Sequence, residues 1–426
     1  MIRIFYTALL VLVSPFFLYG LFKKKPGKPS VSQRWKEHFG ATPRLDDSSI
    51  QPLWIHAVSV GEVIAISPLI KRLKEKQPSI KIVLTTTTPT GAAQASKLKD
   101  LVEHRYMPLD FGFAVKGFLQ AIKPSQLLIV ETELWPNTLH WVAKANIPIS
   151  VVNARLSERS CQRYAKVQPI FNLLSKNLSL VLCQHEDDAE RFIRLGVDSQ
   201  KVAVTGSLKF DISVDDKDIE AGKKLRDEIG QRPVWIAAST HEGEDEQLLD
   251  AHQSLLEQIP DALMIIVPRH PERFTKVFEI IKQRGLTTIR RTSKEPITSI
   301  TQVFLADTMG EMMTLLAASD VCFMGGSLLG DKVGGHNLLE PSIMGLPTLT
   351  GPSYFNFKDI TQQLLSIDAC QVTVNDEAIT QRLWELLSNE AIRNSAGEKA
   401  QQYVQKNAGA IATTLQFIEK RISPTM

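Results

Sequence analysis

Short apolar runs alternate with stretches of helical periodicity along most of this chain. Runs that are apolar at consecutive positions are typical of parallel strands covered on both faces, and parallel pairing requires a crossover, usually a helix, between successive strands. In the first half the apolar runs are Leu53–Val58, Ile80–Leu84, Leu127–Val130, Ile149–Val152 and Leu180–Cys183, with helical patterns at Ile64–Lys76, Gly91–Lys99 and after Pro136. They predict a first doubly wound α/β domain at residues 30–210.

The same alternation restarts after a polar stretch. Residues 211–232 are rich in charge and predict a linker that leads into a helix. Beyond it the apolar runs are Val234–Ala238, Ala262–Val267, Val303–Ala306 and Val321–Met324, with helices predicted from Glu244, after Pro271 and near Asn337. We therefore predict an α/β protein of two Rossmann-like, doubly wound domains facing an interdomain cleft, the second at residues 233–426. A return of the last helix to the first domain is left open.

The N-terminal segment predicts a membrane anchor at residues 1–25. No charged residue occurs from Ile4 to Phe22. At a rise of about 1.5 Å per residue a helix of this length spans roughly 28 Å, close to the thickness of the bilayer hydrocarbon. The basic residues that follow it are Lys23, Lys24, Lys25 and Lys28. By the positive-inside rule they place the remaining chain on the cytoplasmic face of the inner membrane.

A cleaved signal peptide and a helix lying on the bilayer are the two alternatives to a spanning anchor. A cleaved signal peptide is disfavoured, because Arg3 is the only basic residue before the apolar stretch and no small-residue cleavage site follows it. A helix that lies on the bilayer stays open, because Pro15 interrupts the segment.

Composition excludes several other classes of protein. The chain has 49 Lys and Arg against 46 Asp and Glu, so its net charge of +3 does not suggest a nucleic acid as partner. The 4 cysteines are Cys161, Cys183, Cys322 and Cys370. They form no CxxC pair, so we predict reduced thiols rather than a zinc site or a disulfide framework.

Carboxylates follow two of the strands predicted in the first domain. Glu62 lies at the start of a helix directly after the first strand, where the helix N-terminus favours an ionised carboxylate that could act as a general base. Glu131 and Glu133 follow the Leu127–Val130 strand and are also candidates for acid–base chemistry. The alternatives are a helix-capping glutamate for Glu62 and solvated strand-end charges for the other two.

In the second domain, residues suited to an anion follow two strands. Ser239, His241 and Glu242 lie in a turn whose small residues let a ligand approach the backbone closely. Arg269 ends the next strand and could neutralise a phosphate. His270 beside it is a candidate for donor binding; no second ligand lies at helical spacing for a metal, so a hydrogen-bonded structural imidazole is favoured over a metal ligand.

A glycine-rich segment precedes the helix predicted near residue 337. Its candidate residues for binding a nucleotide donor are Gly326, Ser327, Gly335, His336, Asn337 and Glu340. Free backbone N–H groups of such a loop bind phosphate, and a carboxylate one turn into the helix can accept hydrogen bonds from ribose hydroxyls. Glycines that serve only as turn residues are the alternative.

No metal or other cofactor is predicted. Asp216-Lys217-Asp218 matches the D-x-D motif of metal-dependent glycosyltransferases. It falls in the polar linker and not after a strand, so we interpret it as a solvated run of charge.

Taken together, the motifs resemble those of the 3-deoxy-D-manno-octulosonic acid (Kdo) transferases, a family of GT-B glycosyltransferases of the lipopolysaccharide inner core. The resemblance spans nearly the whole chain and rests on the segments HAVSVGEV, TTTTPTG, YMPLDF, VETELWPN, NARLSERS, GSLKFD, STHEGED, VPRHPERF and GGHNLLEP.

The resemblance implies an inverting transfer of Kdo from CMP-Kdo to a tetraacyl lipid A precursor at the membrane. It implies Glu62 as the catalytic base, Glu131 or Glu133 in a second acidic motif, and donor binding by the second domain with Glu340 at the ribose. Two alternatives stay open: another GT-B transferase that uses a UDP-sugar in envelope lipid synthesis, and a tethered binding module without catalysis. The number of Kdo residues added is not predicted.

Overall fold

The computed structural model describes residues 2–22, 32–45, 50–212 and 214–419. The chain divides into two compact units. Unit 1 comprises Met1–Asp211 and Ala408–Met426, and unit 2 comprises Ile212–Asn407. The boundary therefore falls at the start of the polar stretch predicted as a linker.

Unit 1 is built on a parallel sheet of seven strands. The strands are β1 (Leu53–His56), β2 (Ile82–Thr86), β3 (Glu103–Tyr106), β4 (Gln126–Val130), β5 (Ile149–Ala154), β6 (Leu180–Cys183) and β7 (Val202–Val204). Their order is β3-β2-β1-β4-β5-β6-β7, so the direction of winding reverses between β1 and β4. This is the Rossmann order with one strand added, and ligands of such sheets bind where the order reverses.

Helices cover both faces of this sheet. The helices before residue 211 are α1 (Ile2–Phe22), α2 (Val60–Lys76), α3 (Pro89–Ala95), α4 (Gly112–Ile122), α5 (Pro136–Lys144), α6 (Glu158–Lys166), α7 (Gln168–Ser175) and α8 (Glu186–Arg194), of which α1 packs on α5 and α7. Each face of the sheet has its own apolar core. In one of them Trp54 of β1 packs on Phe118 of α4, with 4.4 Å between the ring centroids. The consecutive apolar residues of the strands thus alternate between two cores, as the sequence pattern indicated.

Unit 2 repeats this architecture with its own sheet of seven parallel strands. The strands are β8 (Val234–Thr240), β9 (Leu263–Pro268), β10 (Thr288–Arg290), β11 (Val303–Leu305), β12 (Val321–Met324), β13 (Thr348–Thr350) and β14 (Cys370–Val372). Their order is β10-β11-β9-β8-β12-β13-β14, which reverses direction between β8 and β12. The predicted α/β class with two Rossmann-like units is confirmed.

The helices of unit 2 are α9 (Asp216–Ile229), α10 (Asp245–Leu256), α11 (Phe274–Gln283), α12 (Met312–Ala317), α13 (Leu339–Ile343), α14 (Lys358–Ser366), α15 (Asp376–Ser388) and α16 (Glu390–Asn407). Most of the segment predicted as a linker is therefore helix α9. Its Leu225 and Ile229 are buried, and Arg226 pairs with Asp320 at 3.1 Å. Among its many charged residues α9 carries an apolar stripe, which packs against the rest of unit 2. The high content of charged residues suggested a linker because it does not show this stripe.

The last helix, α17 (Ala410–Glu419), belongs to unit 1. Leu415 and Ile418 are buried in the same core as Ile66 and Ile70 of α2. The carboxylate of Asp211 accepts hydrogen bonds from backbone N–H groups at the start of this segment. The chain thus leaves unit 1 at residue 211 and re-enters it at residue 408.

The predicted anchor is not confirmed. Among the described helices, none combines the length and the apolar character that a bilayer crossing requires. The first turns of helix α1 contact α5, where the side-chain amide of Asn137 donates to the Thr7 hydroxyl at 3.0 Å. The lysines expected to follow the anchor, at positions 23, 24, 25 and 28, lie outside the described residues.

Candidate active site

The carboxylate of Glu62 lies in the first turn of α2, directly beyond the end of β1. It accepts a hydrogen bond from the backbone N–H of Val58 at 2.7 Å and one from the hydroxyl of Ser59, the N-cap residue, at 3.1 Å. The residue is only 9% exposed. Glu62 thus bonds to the turn before α2, but not to the backbone N–H of the N-cap residue as a capping glutamate does, and these contacts fix its carboxylate at the edge where β1 and β4 end.

The pKa of Glu62 is raised to about 7. Burial is the largest cause, and the negative charges of Glu131 and Glu133 raise the pKa further, while the hydrogen bonds from Val58 and Ser59 lower it. Burial thus outweighs the helix N-terminus, which the sequence suggested would keep this group ionised. A carboxylate whose pKa lies near neutral pH can both accept and release a proton, as a general base must.

Glu131 and Glu133 lie across the reversal point from Glu62. Glu131 follows β4 directly, and its backbone N–H donates to the carbonyl of Val152 at 3.0 Å. Its φ of 60° is in the left-handed region, which a residue with a side chain seldom adopts. Burial, and secondarily Glu131, raises the pKa of Glu133. The structure thus brings the three predicted carboxylates of unit 1 close enough for their charges to interact.

A polar residue that the sequence did not single out lies beside this group. Asn153 on β5 is fully buried, also has a positive φ of 53°, and accepts a hydrogen bond from the Leu208 backbone N–H at 3.1 Å. Its side-chain nitrogen has no hydrogen-bond partner among the residues that the structure describes. Asn153 opens the NARLSERS segment and Leu208 lies in GSLKFD, so two unassigned motifs meet at this contact.

In unit 2 the structure brings together three predicted histidines from three loops. The Nε2 atoms of His241 and His336 lie 2.8 Å apart, with their rings stacked at 5.0 Å. The ring of His270 lies 5.3 Å from that of His241. Burial lowers the pKa of His336 to about 4, with the nearby His241 and Arg269 lowering it further. Burial also lowers the pKa of His241.

The remaining residues predicted after β8 and β9 differ in their surroundings. Ser239, the residue before the last of β8, has a φ of 58° and lies at an irregularity in the strand pairing. Glu242 is exposed and forms an ion pair with Lys276. Arg269 is exposed, and its backbone N–H donates to the carbonyl of Thr240 at 2.9 Å. Among these three, the guanidinium of Arg269 has the chemistry that a phosphate requires.

The segment after β12 is held by a residue that the sequence analysis missed. The backbone N–H groups of Gly326, Ser327 and Leu328 all donate to the carboxylate of Glu244, at 2.7, 2.8 and 2.9 Å. The Ser327 hydroxyl donates to the Met324 carbonyl at 2.8 Å. The N–H groups at positions 326 and 327, expected to be free for a phosphate, are therefore occupied within the chain.

The end of the glycine-rich segment is also ordered by internal contacts. Gly335 has a φ of 76° and donates to the carbonyl of Gly326 at 2.8 Å. The side-chain amide of Asn337 donates to Glu340 at 3.3 Å. Burial raises the pKa of Glu340, while Asn337 and then Arg269 lower it. Arg269 thus interacts electrostatically with both Glu340 and the histidine pair.

The D-x-D motif lies at the start of α9. Asp215 is the N-cap of α9, Asp216 and Asp218 are in its first turn, and Asp218 accepts a hydrogen bond from the hydroxyl of Thr314 at 3.2 Å. Within the part of the chain that the structure describes, no group of three or more His, Cys, Asp or Glu side chains is arranged to hold a metal ion.

The first half of the chain matches a known protein family. The model of the family described as 3-deoxy-D-manno-octulosonic-acid transferase (kdotransferase) matches residues 33–212. These residues include the three carboxylates at the reversal point of unit 1.

The similarity to individual proteins extends over most of the chain. A 3-deoxy-D-manno-octulosonic acid transferase from Haemophilus influenzae is 38% identical over 98% of this chain and 98% of its own length. Another from Bordetella pertussis is 34% identical over 86% of this chain and 87% of its own length. A solved structure of a UDP-GlcNAc 2-epimerase from Neisseria meningitidis has a TM-score of 0.55 at 14% identity, over 87% of this chain and 100% of that one. At that identity the likeness concerns the fold alone.

Proposed function

Because the chain belongs to the family of 3-deoxy-D-manno-octulosonic acid transferases, glycosyltransferases of lipopolysaccharide core biosynthesis, we propose that it transfers Kdo from CMP-Kdo to a tetraacyl lipid A precursor with inversion. The observation that best supports this reaction is the carboxylate of Glu62, whose pKa of about 7 suits a base for a hydroxyl group.

In the proposed step Glu62 accepts the proton of the acceptor hydroxyl. The oxygen of that hydroxyl then forms a bond to the anomeric carbon of Kdo, and the bond from this carbon to the phosphate oxygen of CMP breaks. The electron pair leaves with CMP. Glu131 and Glu133 raise the proton affinity of Glu62 and so strengthen it as a base. We assign acceptor activation to unit 1 on these grounds.

We assign donor binding to unit 2. CMP carries one phosphate, and the exposed guanidinium of Arg269 can neutralise it without a metal ion. The low pKa of His336 keeps its ring neutral near pH 7, so it offers a hydrogen bond rather than a second positive charge. The side chains of Asn337 and Glu340 complete the proposed contacts, with Glu340 at the ribose. Glu242 is paired with Lys276, and the backbone N–H groups of Gly326, Ser327 and Gly335 donate within the chain, so these four residues are weaker candidates.

The lipid acceptor requires contact with a membrane, and one face of unit 1 supports this. Helices α1, α4, α5 and α7 contain no acidic residue. Around the Trp141 ring lie the cations of Arg3, Lys116 and Lys144, at 5.5, 3.9 and 5.1 Å from its centroid. Apolar side chains on α1 and α4 are exposed, namely Ile4, Phe5, Leu12 and Phe113. We propose that this cationic, apolar face binds the cytoplasmic surface of the inner membrane.

The test incubates purified full-length protein with CMP-Kdo and the tetraacyl precursor in EDTA and follows the mass of the lipid. We expect the addition of one or more Kdo units, and the number of units would show how many transfers the enzyme performs. Glu62→Gln protein is the control for a contaminating activity. An unmodified lipid, also after Mg²⁺ is restored, together with consumption of a UDP-sugar would overturn the proposed donor.

A further inference from the structure

The side chain of Glu244 is fully buried between two loops of unit 2 that contain predicted donor-binding residues. One carboxylate oxygen accepts from the backbone N–H of His241 at 3.0 Å and of Gly326 at 2.7 Å. The other accepts from the N–H of Ser327 at 2.8 Å and of Leu328 at 2.9 Å. An ionised carboxylate has about four acceptor positions, so these four backbone donors saturate it.

Three consecutive N–H groups that converge on one anion form a nest of the kind by which loops bind phosphate. The nest of residues 326–328 begins at Gly326, whose φ of 70° brings its N–H into line. It lies where the winding of the sheet reverses, between β8 and β12, the place where open α/β sheets bind ligands. In this protein the anion in the nest is the carboxylate of Glu244.

The contacts of Glu244 extend to the histidine pair. Its hydrogen bond to His241 fixes the turn after β8, and its bonds to residues 326–328 fix the segment after β12. A Cβ atom added to Gly326 would lie 2.8 Å from the His336 ring, so this segment and that ring are in close contact. The 2.8 Å contact between His241 and His336 therefore depends on two loops that Glu244 joins.

We propose that Glu244 is a positioning residue for the donor: its carboxylate permanently fills the anion nest of residues 326–328 and so holds His241 and His336 in place for the nucleotide. The inference rests on the proposed function in taking CMP-Kdo as the donor. It follows that the phosphate of the donor does not contact these three N–H groups and is neutralised by side chains instead.

Glu244→Gln tests this with a minimal change of shape. The amide retains one oxygen but replaces the other with an NH₂ group, which would face two backbone N–H donors and leave them unpaired. We expect the Kd for CMP, measured by calorimetry on the full-length protein, to rise at least about tenfold, which corresponds to 1.4 kcal/mol. The amides of residues 326–328 should also lose protection from hydrogen exchange.

Asp250→Asn is the matched control. Asp250 lies on α10, is exposed, and pairs with Arg284 at 3.0 Å. Removing its charge should change neither the Kd for CMP nor the exchange of residues 326–328. The positioning role would be refuted if Glu244→Gln kept its affinity for CMP while residues 326–328 lost protection from hydrogen exchange. It would also be refuted if residues 326–328 kept their protection.

A measurement on the unaltered protein decides the same point if the variant does not fold. With the nest filled by Glu244, the amides of residues 326–328 should be protected in the free protein and change little when CMP is added. Protection that appears only with CMP would mean that the nest binds the donor phosphate, and the proposal would be wrong. If the wild-type protein binds no CMP, the proposed donor is wrong. The protection of the amides of residues 326–328 in the free protein would still show whether Glu244 fills the nest.

Discussion

The Nε2 atoms of His241 and His336 approach to 2.8 Å, so one ring must donate the proton that the other accepts. Two protonated imidazoles cannot form this hydrogen bond, because each nitrogen would carry a hydrogen. The pair can therefore carry at most one positive charge in the folded structure of unit 2. It joins the loop after β8 to the segment after β12 by side chains, beside the link that Glu244 makes through the backbone.

The stability of unit 2 should therefore fall as the solution becomes acidic. The pKa of His336 is about 4 in the folded chain against 6.5 as its ordinary value, so the unfolded chain binds more protons between these values. This contribution is fully present above about pH 6.5 and is lost as the pH falls toward 4. His336→Asn should make the dependence of the urea midpoint on pH shallower across this window.

The comparison at pH 7.5 supplies the control for that experiment. There the difference between the two proteins measures the cost of the substitution itself, without a contribution from protonation. Parallel pH profiles for the wild type and His336→Asn would contradict the low pKa of this ring.

Replacing Glu62 should impair catalysis and spare donor binding. In Glu62→Gln the amide cannot accept the hydroxyl proton, and we expect kcat to fall at least about 10²-fold, as is usual for loss of a general base. The Kd for CMP, which we assign to unit 2, should stay the same. Glu75→Gln is a matched control, because Glu75 lies on the same helix, is 60% exposed and pairs only with Arg72 among its described contacts. Near-normal turnover in Glu62→Gln would exclude it as the base.

The pH dependence of the reaction offers a second test of the same group. With a pKa of about 7 for Glu62, kcat/KM should fall on the acidic side of pH 7, about tenfold per unit. Glu131 raises that pKa, so in Glu131→Gln the acidic limb should move to lower pH, whatever the absolute rate. A limb that stays in place or moves upward would show that Glu62 and Glu131 are not coupled.

The sequence predicted the central strands well because their burial on two faces leaves a strong pattern. The predicted run Leu53–Val58 corresponds to β1 (Leu53–His56), and the predicted run Val234–Ala238 corresponds to β8 (Val234–Thr240). The edge strand β3 (Glu103–Tyr106) was not predicted, because its sequence EHRY is mostly polar and only Tyr106 among its residues is buried. Strands at an edge lack the continuous apolar run on which such a prediction depends.

Of the candidate sites, the carboxylates of unit 1 could be predicted and Glu244 could not. Glu62, Glu131 and Glu133 each follow an apolar run, so their common edge is implied by a parallel sheet. Glu244 begins a helix like any acidic capping residue, and its partners Gly326 and Ser327 lie more than 80 positions away. Only the pairing of β8 with β12 brings them together. The pKa of Glu62 likewise depends on burial, which the sequence around it does not specify.

The proposed membrane face predicts an effect of charge reversal on lipid binding. Lys116→Glu with Lys144→Glu should weaken binding of the full-length protein to vesicles of phosphatidylglycerol at least about tenfold, because each basic residue near an anionic surface contributes about 1 kcal/mol. The effect should shrink at high salt. Lys223→Glu with Lys224→Glu, two exposed positions on α9 of unit 2, changes the net charge equally and should leave binding intact. Equal losses in both double variants would mean that net charge, and not the face around Trp141, governs attachment.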